Sequence, residues 1–313
     1  MHGTIPFLIL GAAALTFSSF AQAQFKNHAD ICITGTGKFE LDISFCSLAL
    51  QSGKHEALSQ ATLFTHRGRA RLELGDREGA IADFNTALNL NPVSAMAYNE
   101  RDRTYHKAGN NGKAIKEYST ALDLFPSYSA ALRNRGTAHL FQGNLEDAQT
   151  DFDAAIATVN YDPASRILRG ISHYFRGDYE AAIPDLSAAM SFSYPYPEAV
   201  LWIYLAERKA GRKGRAALIS NAEEMADDAW PRPLIDVYFE KKAPEAELKA
   251  ALHERKAIQT CQLAQANFYL GALAQQKGDN PAAREHYKKV LEFGLVDAIE
   301  YAGAALELQR MGR

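Results

Sequence analysis

The feature that most constrains this chain of 313 residues is a pattern that returns every 34 residues. Each copy contains an arginine at the same position: Arg67 in the first repeat, Arg101 in the second, Arg135 in the third and Arg169 in the fourth. A glycine follows in every copy, at Gly75, Gly109, Gly143 and Gly177. Alanine, a large apolar residue and alanine then follow in constant order: Ala80, Phe84 and Ala87; Ala114, Tyr118 and Ala121; Ala148, Phe152 and Ala155; Ala182, Leu186 and Ala189. This period is typical of helix–turn–helix units that stack on copies of themselves.

The order of small and large residues has a packing reason. Two antiparallel helices approach closely only where small side chains lie at the crossing, and a large side chain fills the space beside it. The glycine, as in Leu74-Gly75-Asp76, ends the first helix and reverses the chain. Residues 61–196 therefore resemble the tetratricopeptide repeat (TPR) family in four successive copies. The resemblance implies an all-α fold, a TPR solenoid in which antiparallel helix pairs form a right-handed superhelix with capping helices.

A second periodic set joins the repeat arginines to acidic residues. Each arginine precedes an acid by sixteen positions, and these acids are Asp83, Glu117, Asp151 and Asp185. Because such positions face each other across a hairpin, we predict an ion pair within each repeat. An arginine row that reads acidic ligands is the less favoured alternative, since the acids repeat with the arginines. In the second repeat Asp102 replaces the glycine that follows the arginine elsewhere, and we expect it to widen that helix contact.

Less regular segments flank the repeats. Phe39 to Gln51 is predicted to be the second helix of an incomplete N-terminal unit. After the fourth repeat, a fifth first helix near residues 201–207 and a weaker second helix near 214–227 precede a break at Trp230-Pro231. Two short helices, near 234–240 and 244–256, and a final capping helix from Asp297 to Met311 are also expected. The predicted organisation is a signal peptide at 1–23, an N-terminal cap at 24–60, four repeats at 61–196, degenerate helices at 197–260, and a C-terminal repeat with its capping helix at 261–313.

The N-terminal segment has the features of an export signal. Met1 to Gln24 contains no charged side chain, and its apolar run ends in Ala21-Gln22-Ala23, so we predict cleavage after Ala23 and a periplasmic location. An uncleaved hydrophobic anchor is the alternative.

Export would place the three cysteines in an oxidising compartment, where Cys32 and Cys46 can form a disulfide. Closing this loop would contribute about 3 kcal/mol through chain entropy. Two buried free thiols are the alternative. Cys261 lies between apolar positions and is interpreted as a core residue.

Motifs in the C-terminal half resemble the NlpI-type adaptor proteins of the Gram-negative envelope. They are the run from Trp202 to Glu207, Trp230-Pro231, Phe268-Tyr269-Leu270-Gly271, and the run from Glu300 to Leu308. The resemblance implies a TPR adaptor, often dimeric, that scaffolds a periplasmic processing protease and cell-wall hydrolases. Those proteins are lipoproteins, whereas no lipobox cysteine lies near the cleavage site here, so membrane anchoring is not carried over.

The sequence carries no catalytic motif. His253-Glu254 lacks the second histidine of a zinc-protease helix, and neither a G-x-S-x-G elbow nor a C-x-x-C pair is present. We therefore expect no catalytic residues, no metal, no cofactor and no enzymatic activity. The net charge of −3, from 34 basic and 37 acidic residues, gives no case for nucleic acid.

Ligand contacts are expected on the concave surface, which the first helix of each TPR unit lines. The residues selected by repeat position are Arg69, Asn99, Arg103, His106, Arg133, Asn134 and Tyr174. Arginine can bind a carboxylate through two parallel hydrogen bonds, and asparagine can pair with a peptide backbone. Solvated polar side chains are the plain alternative at each position. The sequence thus indicates a non-catalytic periplasmic adaptor that binds peptides or partner proteins, with a structural homo-oligomer, such as a homodimer, as the alternative.

Overall fold

The computed structural model describes residues 28–190, 199–214, 230–241 and 256–312, with isolated positions between these ranges. The described part of the chain is all α-helical. Its helices are α1 (28–34), α2 (Phe39–Gln51), α3 (Ala57–Glu73), α4 (Arg77–Leu90), α5 (Ala95–Lys107), α6 (Asn111–Leu124), α7 (Ser129–Phe141), α8 (Leu145–Thr158), α9 (Pro163–Arg176), α10 (Tyr179–Met190), α11 (Ala199–Lys209), α12 (Arg232–Tyr238), α13 (Lys256–Gln276), α14 (Asn280–Glu292) and α15 (Ile299–Met311). The predicted signal peptide, and most of the helices predicted near 214–227 and 244–256, lie outside the described residues.

The chain divides into two compact units, Met1–Thr104 and Tyr105–Arg313. In the first unit α3 and α4 form an antiparallel hairpin, and α2 packs on α3. In the second unit the hairpins are α7/α8, α9/α10 and α13/α14, while α6 packs on α7 and α10 on α11. No helix in the described ranges has both the length and the apolar character needed to cross a membrane.

The repeat glycines end helices as expected. Gly75 has a φ of +83°, in the left-handed region that favours glycine. The backbone N–H of Asp76 then donates to the carbonyl of Arg71 at 2.9 Å, which closes the end of α3. The Asp76 carboxylate accepts from the N–H of Gly79 at 2.9 Å and caps α4. Two adjacent residues therefore stop one helix and start the next.

Small residues allow the close helix crossings that the sequence predicts. A Cβ built on Gly68 would lie 2.6 Å from Phe84 Cε1, and one on Gly136 would lie 2.8 Å from Phe152 Cε1. Real Cβ atoms do not approach so closely, so only glycine fits these crossings. Asp102, which replaces this glycine in the second repeat, is fully buried, and the widening expected there stays a prediction.

Three of the four predicted ion pairs are confirmed. Their closest nitrogen–oxygen distances are 2.7 Å for Arg67–Asp83, 2.7 Å for Arg135–Asp151 and 2.6 Å for Arg169–Asp185. In each pair Nε and Nη2 donate to the two carboxylate oxygens. Arg101 and Glu117 belong to different units, so the fourth pair stays a prediction.

All four repeat arginines also donate a hydrogen bond to the second helix of the preceding repeat, which for Arg67 is helix α2. The Nη1 contacts are Arg67 to Ser47 Oγ at 3.2 Å, Arg101 to Asn85 Oδ1 at 2.8 Å, Arg135 to Ser119 Oγ at 3.1 Å and Arg169 to Asp153 Oδ1 at 2.5 Å. Each guanidinium therefore contacts a neighbouring helix, which favours a structural role for these arginines over the binding of acidic ligands.

The second unit contains a large aromatic core around α11. Every residue from Ala199 to Ala206 is buried, and Trp202 is 1% exposed. The Trp202 ring lies 5.2–5.5 Å from the rings of Tyr174, Phe175 and Phe268, measured between centroids. The first helix of the degenerate fifth repeat is therefore the centre of this core.

The cysteines divide between a buried disulfide and an exposed thiol. Cys32 and Cys46 form a disulfide with a Cα–Cα distance of 4.8 Å, packed against Ala49 and Leu63. The interpretation of Cys261 as a core residue is wrong, because its side chain is exposed. Helix α13 begins at Lys256, but its buried residues begin only at Ala264.

Candidate functional site

The residues predicted to bind a ligand fall into both units, and each unit presents its own surface. Arg69, Asn99 and Arg103 belong to the first unit. His106, Arg133, Asn134 and Tyr174 belong to the second.

In the first unit, the two arginines lie at the surface with polar neighbours. Arg103 is 26% exposed and pairs with Glu73, which is 29% exposed, and with Glu100 at 3.3 Å. The Nη2 of Arg69 lies 3.2 Å from Nδ1 of His66. Burial, and next the charge of Arg69, lower the pKa of His66 to about 4, so this imidazole is neutral at physiological pH and can accept from the guanidinium.

Asn99 does not belong to this exposed surface. Its side chain is buried, at 2% exposure, and its Nδ2 donates to Glu100 Oε1 at 3.4 Å. The prediction that Asn99 contacts a ligand is therefore wrong, because a ligand cannot reach it.

In the second unit, the position of the last helix was not predicted from the sequence. A Cβ on Gly109 would lie 3.2 Å from Val296, and one on Gly143 would lie 3.2 Å from Leu306. Val296, just before α15, therefore lies against the turn of the second repeat, and Leu306 of α15 lies against the turn of the third. Helix α15 also contacts α7.

The middle of α15 is packed on both sides. A Cβ on Gly303 would lie 2.7 Å from both Phe175 of α9 and Phe268 of α13. Glu307 is 3% exposed, and its carboxylate accepts from Arg310 at 2.6 Å and from Gln275 at 3.1 Å. The helix predicted as an end cap therefore does more than cover α13 and α14, since it also lies against the repeats.

Tyr174 is consequently part of the core. It is 2% exposed, and its ring packs edge-on against Trp202 at 5.4 Å between centroids. Burial raises the pKa of its hydroxyl well above the ordinary value, with the charge of Glu307 adding to the effect. The prediction that Tyr174 faces a ligand is wrong, because α11 and the aromatic core enclose it.

His106 is also held by its neighbours. Its ring lies edge-on to Phe141, with 4.8 Å between centroids, and Nδ1 is 2.5 Å from Asn111 Oδ1. Burial lowers the pKa of His106, and the hydrogen bond to Asn111 and the charge of Asp297 offset only part of that effect.

Arg133 and Asn134 lie half-buried on α7. Arg133 donates to Asp162 at 2.8 Å, and the same carboxylate caps α9 by accepting from the backbone N–H of Ala164 and Ser165. Burial works to raise the pKa of Asp162, but the hydrogen bond from Ser165 and the charge of Arg133 outweigh it, so the pKa is lowered. Arg133 is thus committed to an interhelical contact.

We call the side of the first helices that carries Arg69, Glu73 and their repeat equivalents the inner face. Its composition changes along the chain. The equivalents of Arg69 are Arg103, Thr137 and Ile171, and the equivalents of Glu73 are Lys107, Phe141 and Phe175. These positions are charged in the first two repeats and uncharged in the next two, where all but Thr137 are apolar. The small-residue run Ala302-Gly303-Ala304 was the sequence signal that could have revealed a helix packed closely against the apolar part.

Comparisons with known proteins agree with this architecture. Residues 66–129 and 103–163 match the family model described as tetratricopeptide repeat. A tetratricopeptide repeat protein from Parabacteroides merdae has a similar structure, with a TM-score of 0.54 and 17% identity over 91% of this chain and 98% of that one. A thermophilic TPR protein of Thermus thermophilus aligns over 62% of this chain and 99% of its own, with 16% identity and a TM-score of 0.49. YrrB, a TPR protein with an unusual peptide-binding site, aligns over 63% of this chain and 98% of its own, with 16% identity and a TM-score of 0.47.

The chain therefore has the all-α fold of tetratricopeptide repeat proteins. Residues 66–163 carry the repeats that the family model matches.

Proposed function

We propose that this protein is a non-catalytic scaffold that binds peptide segments or partner proteins through the inner face of its first unit. The observation that carries the proposal is the use of the inner face in the second unit. There, Phe175 packs against α15, which shows that this side of the repeats accepts a helical segment. The equivalent positions of the first unit hold Glu73 and the half-buried Arg69 and Arg103.

The chemistry of the first unit suits a polar ligand. Arg103 pairs with Glu73, and both side chains keep more than a quarter of their surface accessible. An exposed pair of this kind contributes about 0–1 kcal/mol, so a ligand carboxylate or carbonyl can replace Glu73 at little cost. A guanidinium then offers a carboxylate two parallel hydrogen bonds. Peptides with acidic side chains are the ligands that fit this surface best.

We further propose that the protein works in the periplasm. The uncharged N-terminal run that ends in Ala21-Gln22-Ala23 supports export. The Cys32–Cys46 disulfide supports an oxidising compartment. An envelope protease or a peptidoglycan hydrolase is the partner class that we propose, on the basis of the motifs from Trp202 to Leu308.

Affinity capture from periplasmic extract tests this function. The mature chain, Gln24 to Arg313, serves as bait beside an Arg69→Ala/Arg103→Ala variant, and captured proteins are identified by mass spectrometry. A matched control is Lys116→Ala/Lys289→Ala, which removes two exposed cations from the second unit. Circular dichroism establishes that all three baits are folded.

We expect the wild type and the lysine control to capture a protease or hydrolase that the arginine variant loses. Equal capture by the arginine variant would contradict the assignment to the inner face of the first unit. Capture of the chain alone would instead favour the structural homo-oligomer.

A further inference from the structure

A cavity in the second unit lies away from the inner face. Its volume is about 490 Å³, and it is formed by the end of α11, the turn that follows it, α12 and the end of α13. The residues that matter for its chemistry are Tyr204, Arg208, Lys213, Tyr238, Gln276 and Lys277, with Glu240 at the edge. A volume of this size is in the range of small-ligand sites.

The floor of the cavity is apolar and fixed in place. The rings of Tyr204 and Tyr238 pack edge-on with 4.9 Å between centroids, and both residues are buried. The hydroxyl of Tyr238 donates to the carbonyl of Tyr269 at 2.7 Å, which holds the ring against α13. Val237 and Leu273 add aliphatic surface. Such a floor suits an apolar or aromatic side chain.

Three cations stand around this floor. Arg208, Lys213 and Lys277 are exposed, and among the described lining residues Glu240 is the one acid. Gly214, which follows Lys213, has a φ of +71°, and a Cβ there would lie 3.0 Å from the Tyr204 ring, so this turn lies close against the ring. Like charges held around one opening repel each other, and a bound anion relieves that repulsion.

A buried amide group adds a donor without an acceptor. The Nε2 atom of Gln276 is enclosed, and it has no hydrogen-bond partner among the described residues. Buried polar groups are normally satisfied, and no acceptor holds this N–H in place, so we expect the half-buried Gln276 side chain to turn and donate to a ligand oxygen in the cavity. Glu240 has a φ of +60° because it is the left-handed residue that ends α12, where the N–H of Lys241 donates to the carbonyl of Asp236 at 2.9 Å.

We propose that this cavity binds the C-terminal carboxylate of a peptide whose last side chain is apolar or aromatic. Arg208, Lys277 and the Gln276 amide receive the carboxylate, and the last side chain packs on Tyr204 and Tyr238. Glu240 accepts from a peptide N–H, and its negative charge disfavours a doubly charged phosphate. The site is independent of the inner face, so either proposal can fail without the other.

Fluorescence polarisation with a short fluorescein-labelled peptide ending in phenylalanine tests the site. The same peptide as a C-terminal amide, and N-acetylphenylalanine as an unlabelled competitor, complete the probes. The protein variants are Arg208→Ala/Lys277→Ala and Gln276→Leu, with Lys116→Ala/Lys289→Ala as the charge-matched control. Thermal unfolding of each variant establishes that it is folded.

We expect the free acid to bind at least tenfold more tightly than the amide. The Arg208→Ala/Lys277→Ala variant should lose at least tenfold in affinity and Gln276→Leu somewhat less, while the lysine control and Arg69→Ala/Arg103→Ala bind as the wild type does. Equal binding of acid and amide, or unchanged affinity in the Arg208→Ala/Lys277→Ala variant, would overturn the proposal. N-acetylphenylalanine carries the carboxylate, the ring and one N–H, so we expect it to compete, and no competition by it would overturn the assignment to the last residue. Equal competition by 3-phenylpropionate, which lacks the N–H, would overturn the peptide assignment in favour of a small organic acid.

Discussion

The first two repeats and the next two use the same hairpin but differ on the inner face. Where the first repeat has Glu73, the fourth has Phe175, and that phenylalanine packs against Gly303 of α15. A charged side chain at the same position would have to be desolvated, which is costly without a partner. The inner face is thus apolar at Phe175, where α15 packs on it, and charged at Glu73, which pairs with Arg103.

The two units also distribute their cores differently. In the first unit, buried side chains form small separate clusters, such as Leu72, Ala80 and Phe84, together with the group around the disulfide. In the second unit, a large continuous cluster surrounds Trp202, beside a separate small cluster around Tyr118. We therefore expect local unfolding in the first unit and cooperative unfolding in the second.

The largest effect should come from removing the centre of the continuous core. Trp202→Ala is expected to lower the free energy of unfolding by about 4 kcal/mol, because it deletes a buried ring with several aromatic neighbours. Chemical denaturation measures the loss, and hydrogen exchange should show weakened protection across α9, α11 and α13. Phe125→Ala is the control, since that ring is 54% exposed. Loss of protection confined to α11 would contradict the cooperative unfolding expected for the second unit.

Removing the disulfide should weaken the first unit. Cys32→Ser/Cys46→Ser is expected to cost about 3 kcal/mol, because the unfolded chain regains the entropy of an open loop. Limited proteolysis should detect faster cleavage in α1–α3, with the second unit unchanged. Cys261→Ser is the matched control because its thiol is exposed. An equal loss of stability in both variants would show that the buried disulfide does not stabilise the first unit.

The packing of α15 on the apolar part of the inner face can be tested by placing a larger side chain at Gly303. Gly303→Val is expected to destabilise the protein by about 2 kcal/mol, because its Cβ would overlap two phenylalanine rings. Binding of a hydrophobic dye should rise as Phe175 becomes exposed. Ala305→Val changes an exposed residue of the same helix and should have a much smaller effect. If the two variants behave alike, α15 is not held by this contact.

The smallest effect is the pH response of the first unit. The pKa of His66 is about 4 in the folded protein and near 6.5 when unfolded, so the unfolded state binds more protons between these values. The contribution of neutral His66 to the free energy of unfolding is therefore fully present above pH 6.5 and is lost as the pH falls towards 4. Because the ring is partly exposed, we expect only about 1 kcal/mol. An NMR titration of His66 in wild type and Arg69→Ala measures the shift, and a pKa near 6.5 in the wild type would contradict it.

Most short-range features of the fold could be predicted from the sequence. The hairpins follow from the 34-residue period, and the Arg67–Asp83 pair follows from sixteen-residue spacing within one hairpin. The bounds of α2, Phe39–Gln51, match the prediction. These features depend on residues that are close in sequence, where helical geometry alone decides which side chains meet.

The candidate site was predicted less well, because repeat position does not report what covers a surface. The arginine positions Arg69 and Arg103 lie on the polar part of the inner face, whereas Tyr174 and Asn99 are buried. No local signal distinguishes Tyr174 from a ligand-facing tyrosine. Its burial depends on helix α11, which follows a fourth repeat that already looks complete.

The sequence by itself determined the helix pairs, the ion pairs that hold them and the cysteines able to pair. Only the tertiary structure decided that α15 lies against Phe175, that Cys261 is exposed, and that Arg208 and Lys277 meet at one cavity. The reason is that periodicity reports contacts within a hairpin and between neighbouring hairpins. Contacts between distant segments depend on where the chain returns, and that is set by the packing of all the intervening helices.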